Sequence, residues 1–337
     1  MDTASMILNE SPATEINEGS LAPQTGAIVW RWDTLKPEDG LVRLNAACLS
    51  ELNQAIETWR ANPLALEVLE PAMFQLAACT TMMNECRQIL QEGVGFVIID
   101  RLPIDRYSKD EAKLAYWLLS QLLSRPVAQS WDGKLIYDVR DFGRPPGNGV
   151  RPDVTNSEQN FHTDNSYNLC PPDYVSLLCL QPAKEGGISS IVSFYSVFNE
   201  MLERHPELVR RLFEPYLFDR QKEHSPSAPS IISHPLMEIK AGRLACRLSH
   251  RHVVNGYRMA GYDMDTTTEA ALETLESIMR EPQFCRDFFF EPGQIQIVDN
   301  KRLGHRRTGF VDHEEPERKR HLIRLWLREN GRRFYNG

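Results

Sequence analysis

From about residue 131 onward the chain is cut into short apolar runs, and that texture limits its possible folds more than any other feature. KLIYDV (134–139), QNFHTD (159–164), DYVSLLCL (173–180) and ISSIVSF (188–194) each read as a strand. Pro and Gly clusters, RPPGNG and QPAKEGG among them, separate the runs. LMEIKAGRLACRL (236–248) reads as a hairpin turning at Ala241-Gly242, and FFFEPGQIQIVDN and KRHLIRLWLR return to strand texture near the end. Helical inserts interrupt the series: SVFNEMLERHPELVRRLF, restarted at Pro206, and TEAALETLESIMR (268–280). No βαβ alternation, GxGxxG, Walker A or GxSxG occurs. Many short strands with peripheral helices predict a β-sandwich or jelly roll with helical decoration.

The part before residue 131 differs. Residues 47–92 and SKDEAKLAYWLLSQLL (108–123) read as helices, with Ser108 as an N-cap, and GFVIID (95–100) as a buried strand. Residues 1–26, polar and rich in Ser, Pro, Asn and Glu, are expected to be a disordered tail. The expected organisation is thus a single domain over 27–337, with a helical part (27–130) and a strand-rich core (131–330).

Hydrophobic residues make up 42% and charged residues 25%, which is enough for a sizeable core. The net charge of -8 argues against a nucleic-acid or anionic-membrane partner. Residues 301–337 oppose that balance, with eleven Lys or Arg against five Asp or Glu. Seven cysteines with no CxxC pair point to a reducing compartment and away from a thiolate zinc site. Residues 1–30 contain no Lys or Arg, so no export signal is expected, and LAYWLLSQLLS (114–124) is too short to span a bilayer. The expectation is a soluble cytoplasmic protein, open to homo-oligomer formation.

Within QNFHTD, His162 and Asp164 are two apart, so on a strand they share a face. Such a pair holds a metal or is an ordinary polar pair. His250 and His252 form a second pair in RLSHRHVV, read as structural polar residues, while His205, His224 and His313 lie in polar stretches. EPGQIQIVDN reads as a strand entering a core, and KRLGHRRTGF then places His305 just past a turn. Two imidazoles and one carboxylate form the facial triad suited to non-haem Fe(II), leaving positions open for oxygen and a second ligand. In KRHLIRLWLR, Arg320 and Arg324 share a face with Leu322, Trp326 and Arg328, and the opposite face carries His321, Ile323, Leu325 and Leu327. Inward-pointing arginines need an anionic partner, which a ligand carboxylate would supply; a solvated sheet face is the alternative.

Taken in order, HTD, a distant His and then Arg on the following strand resemble the TauD/TfdA family of Fe(II)- and 2-oxoglutarate-dependent dioxygenases, in the branch related to γ-butyrobetaine hydroxylase. FHTDNS, QPAKEGGISSIVSF, EPGQIQIVDNKRLGHRRTGF and RKRHLIRLWLR carry the resemblance, which runs from about residue 95 to 328. It implies an α+β, mainly β fold with a double-stranded β-helix (jelly-roll) core. It implies His162, Asp164 and His305 as iron ligands and Arg320 as the anchor of the distal carboxylate of 2-oxoglutarate. Ser189 stands where the taurine enzyme has a Thr that helps hold that carboxylate. Arg324 matches a second arginine, which in some members contacts an anionic substrate. The implied reaction consumes O2 and releases succinate and CO2 while oxidising a C–H bond of a small polar molecule. Halogenating relatives lack the carboxylate that Asp164 retains, so hydroxylation, desaturation or oxidative cleavage is favoured, with hydroxylation the first expectation. Asn165, Ser166 and Tyr167, with Tyr137 and Asp138, are candidate substrate contacts. Two rivals remain: a cupin-like metal enzyme without 2-oxoglutarate, which would not need Ser189 or Arg320, and a non-catalytic jelly-roll binding protein.

Overall fold

The computed structural model describes residues 7–9, 21–143 and 151–337. Its largest sheet has seven strands, in the order Leu41–Arg43, Phe96–Asp100, Ile295–Asp299, Tyr174–Gln181 and His321–Arg328. Beyond these, Arg125–Val127 and Tyr137–Val139 pair with the two halves of His321–Arg328. A four-stranded antiparallel sheet runs Arg286–Phe288, Ser189–Ser193, Leu303–Arg307, Gln159–His162.

All eight residues of His321–Arg328 are buried, and alternation explains why. Ile323, Leu325 and Leu327 pack into one hydrophobic cluster with Leu52, Met83 and Trp117. Those partners come from the helices Ala46–Ala61, Ala77–Glu92 and Lys109–Leu123. Trp326, on the opposite face, joins a second cluster with Phe161 and Ile191 of the smaller sheet. Helices therefore cover one face of the large sheet and the small sheet covers the other. The arginines predicted to alternate with aliphatic residues point between the sheets, not into solvent.

Several expectations are met. The capping box at Ser108 and Glu111 starts the helix Lys109–Leu123. Met237–Lys240 and Arg243–Cys246 form the hairpin, with Ala241 and Gly242 both at positive φ as a two-residue turn demands. All seven cysteines are unpaired. No helix among the described residues is long and apolar enough to cross a membrane.

Other features differ. Of the expected tail, Ile7–Asn9 forms a strand parallel to Ile231–Pro235; residues 21–26 are described, and the rest lies outside the described residues, as does RPPGNG. The strand bearing His162 ends at that residue, and Asp164 sits in the turn that follows. RLSHRHVV opens a helix, His250–Ala260, whose Gly256 lets the strand Pro215–Asp219 approach: a Cβ there would collide with the Leu217 carbonyl.

Glu111 also ties two helices together, accepting from Arg60 at 2.5 Å and from the Ser108 amide at 2.8 Å. Those bonds pull its carboxyl down to about 2, against burial. Its contribution to stability is then complete above the ordinary carboxyl range and is lost as pH falls toward 2. Glu111→Gln is expected to destabilise the protein at pH 7, with the gap to the parent narrowing by about pH 3, as read by urea unfolding at each pH.

Candidate active site

The smaller sheet puts two histidines side by side. His162 and His305 are directly paired across adjacent strands, and their ring centroids are 4.3 Å apart. The turn after His162 swings Asp164 back beneath them. Its Oδ1 lies 3.3 Å from Nε2 of each imidazole. The three ligand atoms all fall within 4.8 Å of one another. His162 Nδ1 donates to the Asn160 carbonyl at 2.8 Å, which leaves Nε2 as the acceptor facing Asp164. Burial, with the neighbouring His162, pushes the His305 imidazole below its ordinary range. A neutral imidazole is the form that binds a metal.

Asp164 is fixed at both ends. Its backbone amide donates to Asn300 Oδ1 at 2.8 Å, and its carbonyl accepts from Asn300 Nδ2 at 3.0 Å. Its Oδ2 accepts from Trp326 Nε1 at 2.6 Å and lies 3.3 Å from Arg324 Nη1. Oδ1 is thereby turned toward the histidines. Burial works to raise the carboxyl, but Arg324 and the two histidines outweigh it, and the group is held well below the usual carboxylate range.

Arg324, 6% exposed, is surrounded by acceptors. Its Nε donates to Gln129 at 2.8 Å and its Nη2 to Asp153 at 2.9 Å. Asp153 also pairs with Arg151 at 3.4 Å, and Arg151 with Glu223 at 3.3 Å. Charges alternate along this chain from the triad to the loop bearing Glu223.

Two cavities meet at the triad. The narrower, about 50 Å³, is lined by His162, Asp164, Ser189, His305, Arg307 and Arg320. Arg320 is 4% exposed, its Nη1 has no partner, and no carboxylate among the described residues lies within ion-pair distance. Burial and the nearby Arg307 push it down to about 9. Ser189 reaches the same space, its Oγ donating to Gln296 at 3.3 Å. The wider cavity, about 190 Å³, is lined by Arg151, Asp153, Asn165, Tyr167, His252 and Trp326 among others.

The donor set fits a divalent iron: two imidazoles and one carboxylate oxygen would hold it and would leave positions for other ligands. The narrow cavity fits a dicarboxylate, because a buried guanidinium without a counter-charge ends it.

The expected substrate contacts divide. Asn165 and Tyr167 line the wider cavity; Ser166 is buried but lies outside its lining. Tyr137 lies beneath Arg324, whose guanidinium is 5.2 Å from the ring centroid, and lines neither cavity. Asp138 corrects the sequence reading. It pairs in register with Ile323, which faces the helices, and its carboxylate bonds His321 at 2.8 Å and lies 3.5 Å from Lys113. It points away from the site. Arg151, Asp153, Gln129, His252 and Asn300 were not expected. Only His252 had a visible signal, the HxH of RLSHRHVV.

Residues 69–326 match the model of the taurine catabolism dioxygenase TauD, TfdA family. The chain belongs to this family. It is an iron(II)- and 2-oxoglutarate-dependent dioxygenase. It is 28% identical over 319 residues to FR-33289 synthase of Streptomyces rubellomurinus, covering 93% of this chain and 92% of that one. The match to gamma-butyrobetaine dioxygenase of Pseudomonas is 28% identical over 180 residues, covering 52% of this chain and 44% of that one. The γ-butyrobetaine branch expected from the sequence therefore has only partial support. Among solved structures, non-heme iron oxygenase OrfP in complex with Fe, succinate and (3S)-hydroxy-L-Arg superposes with a TM-score of 0.65 at 16% identity, covering 86% of this chain and 94% of that one.

Removing the Trp326 N–H leaves Asp164 Oδ2 with Arg324 alone. Trp326→Phe is expected to weaken divalent-metal binding roughly tenfold while the protein stays folded, as measured by Co(II) titration alongside circular dichroism.

Proposed function

We propose that His162, Asp164 and His305 hold the Fe(II), and that the narrow cavity takes 2-oxoglutarate with its distal carboxylate on Arg320 and Ser189. The observation that carries this reading is Arg320, a buried guanidinium without a counter-ion at the end of a cavity that opens on the triad. A cupin-like enzyme without 2-oxoglutarate would have no use for that charge. The two facing sheets are read as the halves of a double-stranded β-helix, with the iron centre at one end.

Bound iron with 2-oxoglutarate and O2 supplies the oxidising chemistry, and succinate and CO2 leave. The chain's own residues do the rest. Trp326 and Arg324 hold Asp164 so that one oxygen faces the metal. Asn160 sets the tautomer of His162. Ser189 adds a hydroxyl donor beside the Arg320 charge. Ile191, buried and in register with His305, keeps water from that side of the triad.

The primary substrate occupies the wider cavity. At about 190 Å³ it lies below the usual range for drug-sized ligands, so the substrate is small. Its wall is polar, and two of its three arginines are already paired, Arg151 with Asp153 and Glu223 and Arg324 with Asp153 and Asp164, while the third, Arg251, is exposed. Arg324 accordingly acts as a positioning residue for Asp164. His252 presents a neutral ring, since burial pushes its imidazole down to about 3. The reaction is hydroxylation of a C–H bond directed at the open side of the triad.

Anaerobic addition of Fe(II) and 2-oxoglutarate is expected to give the visible charge-transfer band of the chelated cosubstrate. His162→Ala abolishes the band, and Arg320→Gln raises the 2-oxoglutarate Kd about 10- to 100-fold, the loss of a charge-assisted contact. Absence of the band, with no succinate from any small polar substrate tried, overturns the assignment. A band unaffected by Arg320→Gln overturns the placement of the cosubstrate alone.

A further inference from the structure

The turn that carries Asp164 lies outside both sheets, so no ladder fixes its far side. Asn300 holds it at Asp164. The next residue, Asn165, has a φ of 58°, the left-handed region that asparagine tolerates better than most residues. Its side chain is held from a distant part of the sequence: Tyr335 Oη donates to Asn165 Oδ1 at 2.8 Å. The same hydroxyl meets that of Tyr167, whose ring packs 4.5 Å from His252 in the wall of the wider cavity. The Tyr335 ring is buried and stacks at 6.4 Å on Trp326, the residue that donates to Asp164 Oδ2.

The segment carrying Tyr335 is itself anchored. Arg328 donates to the carbonyls of Arg332 and Phe334 at 3.1 and 3.2 Å, and the Ala128 amide donates to the Arg333 carbonyl at 2.9 Å. Asn168 Nδ2 reaches the Tyr335 carbonyl at 3.4 Å, tying the far end of the same turn to this segment. Tyr335 thus touches two parts of the site that the sheets leave loose, Asn165 beside the metal carboxylate and Tyr167 in the substrate wall, and also Trp326 behind Asp164.

We propose that Tyr335 is a positioning residue for the iron centre and the substrate wall together, acting through its hydrogen bond to Asn165. This rests on the assignment of His162, Asp164 and His305 as metal ligands. The hydroxyl holds the turn 164–167 in one conformation, so the carboxylate is presented to the metal before the metal arrives.

The test uses the full chain with Mn(II), an air-stable stand-in for Fe(II), followed by electron paramagnetic resonance. Tyr335→Phe keeps the buried ring and removes only the hydroxyl. It is expected to raise the Mn(II) Kd roughly three- to tenfold and to alter the shape of the bound-Mn(II) signal, with the thermal midpoint shifted by no more than about 4 °C. Asn165→Gly accepts the positive φ, removes the same bond from its other end and is expected to give a similar loss. The double variant is expected to lose no more than Tyr335→Phe alone, because the Tyr335–Asn165 bond that Asn165→Gly removes is then already gone. Unchanged affinity in both single variants, or fully additive losses, overturns the proposal. Should Tyr335→Phe not fold, Asn165→Gly measured alone decides by the same affinity and signal. Failure of the parent protein to bind Mn(II) overturns the ligand assignment itself; binding by the parent with indifferent variants overturns only the role of Tyr335.

Discussion

A strand buried on both faces carries arginine only where acceptors or a counter-charge meet the guanidinium, and much of this site follows from that constraint. His321–Arg328 is such a strand. Its aliphatic face is taken up by the helices, so Arg320 and Arg324 project between the sheets. Arg324 finds Asp153, Gln129 and Asp164. Arg320 finds no carboxylate. An unpaired charge in so enclosed a place is tolerated only where a ligand completes it. One strand thus supplies both the positioning of the metal carboxylate, through Arg324 and Trp326, and the demand for an anionic cosubstrate, through Arg320.

Asp164 is the hinge between the two cavities. One oxygen belongs to the histidines, the other to Trp326 and Arg324. A carboxylate held this way binds a metal through one oxygen, which leaves coordination positions free. The alternating chain Asp164, Arg324, Asp153, Arg151, Glu223 carries no large net charge into the substrate wall. Coupling also runs both ways along such a chain, so a change at Asp153 would be felt at Asp164.

The parts legible in the sequence were those where chemistry restricts residue type. A facial triad needs two imidazoles and a carboxylate, so His162, Asp164 and His305 stood out once they were taken together. Alternation within KRHLIRLWLR was enough to put Arg320 and Arg324 on one face. What alternation could not supply is register between strands. Tyr137 and Asp138 are neighbours, but pairing with Arg324 and Ile323 sends one toward the site and the other toward His321 and Lys113. Arg151 and Asp153 sit in a short turn with no periodicity to read. His252 reaches the cavity because a helix starts beside Ser249, and an HxH pair reads the same way on a helix, a strand or a loop. Tyr335 is 170 residues from Asn165, and only tertiary packing joins them.

The two cavities are also built from different kinds of structure. The histidines and Arg320 stand on or beside paired strands, where a shift of one residue would turn every side chain to the wrong face. The wider cavity shares the strand residues His162, Arg324 and Trp326 but takes much of its wall from the turn 164–167, the short turn at Asp153, the loop at Gln221 and the first turn of the helix at His250. Loops and turns accept substitution more readily than ladders do. Two of the three triad residues thus stand on strands, while Asp164 and much of the wall of the wider cavity stand on turns. That division explains why a hydroxyl as distant as that of Tyr335 matters. A wall free to vary needs some fixed point, and the bond to Asn165 gives the turn one on the side away from the ladder.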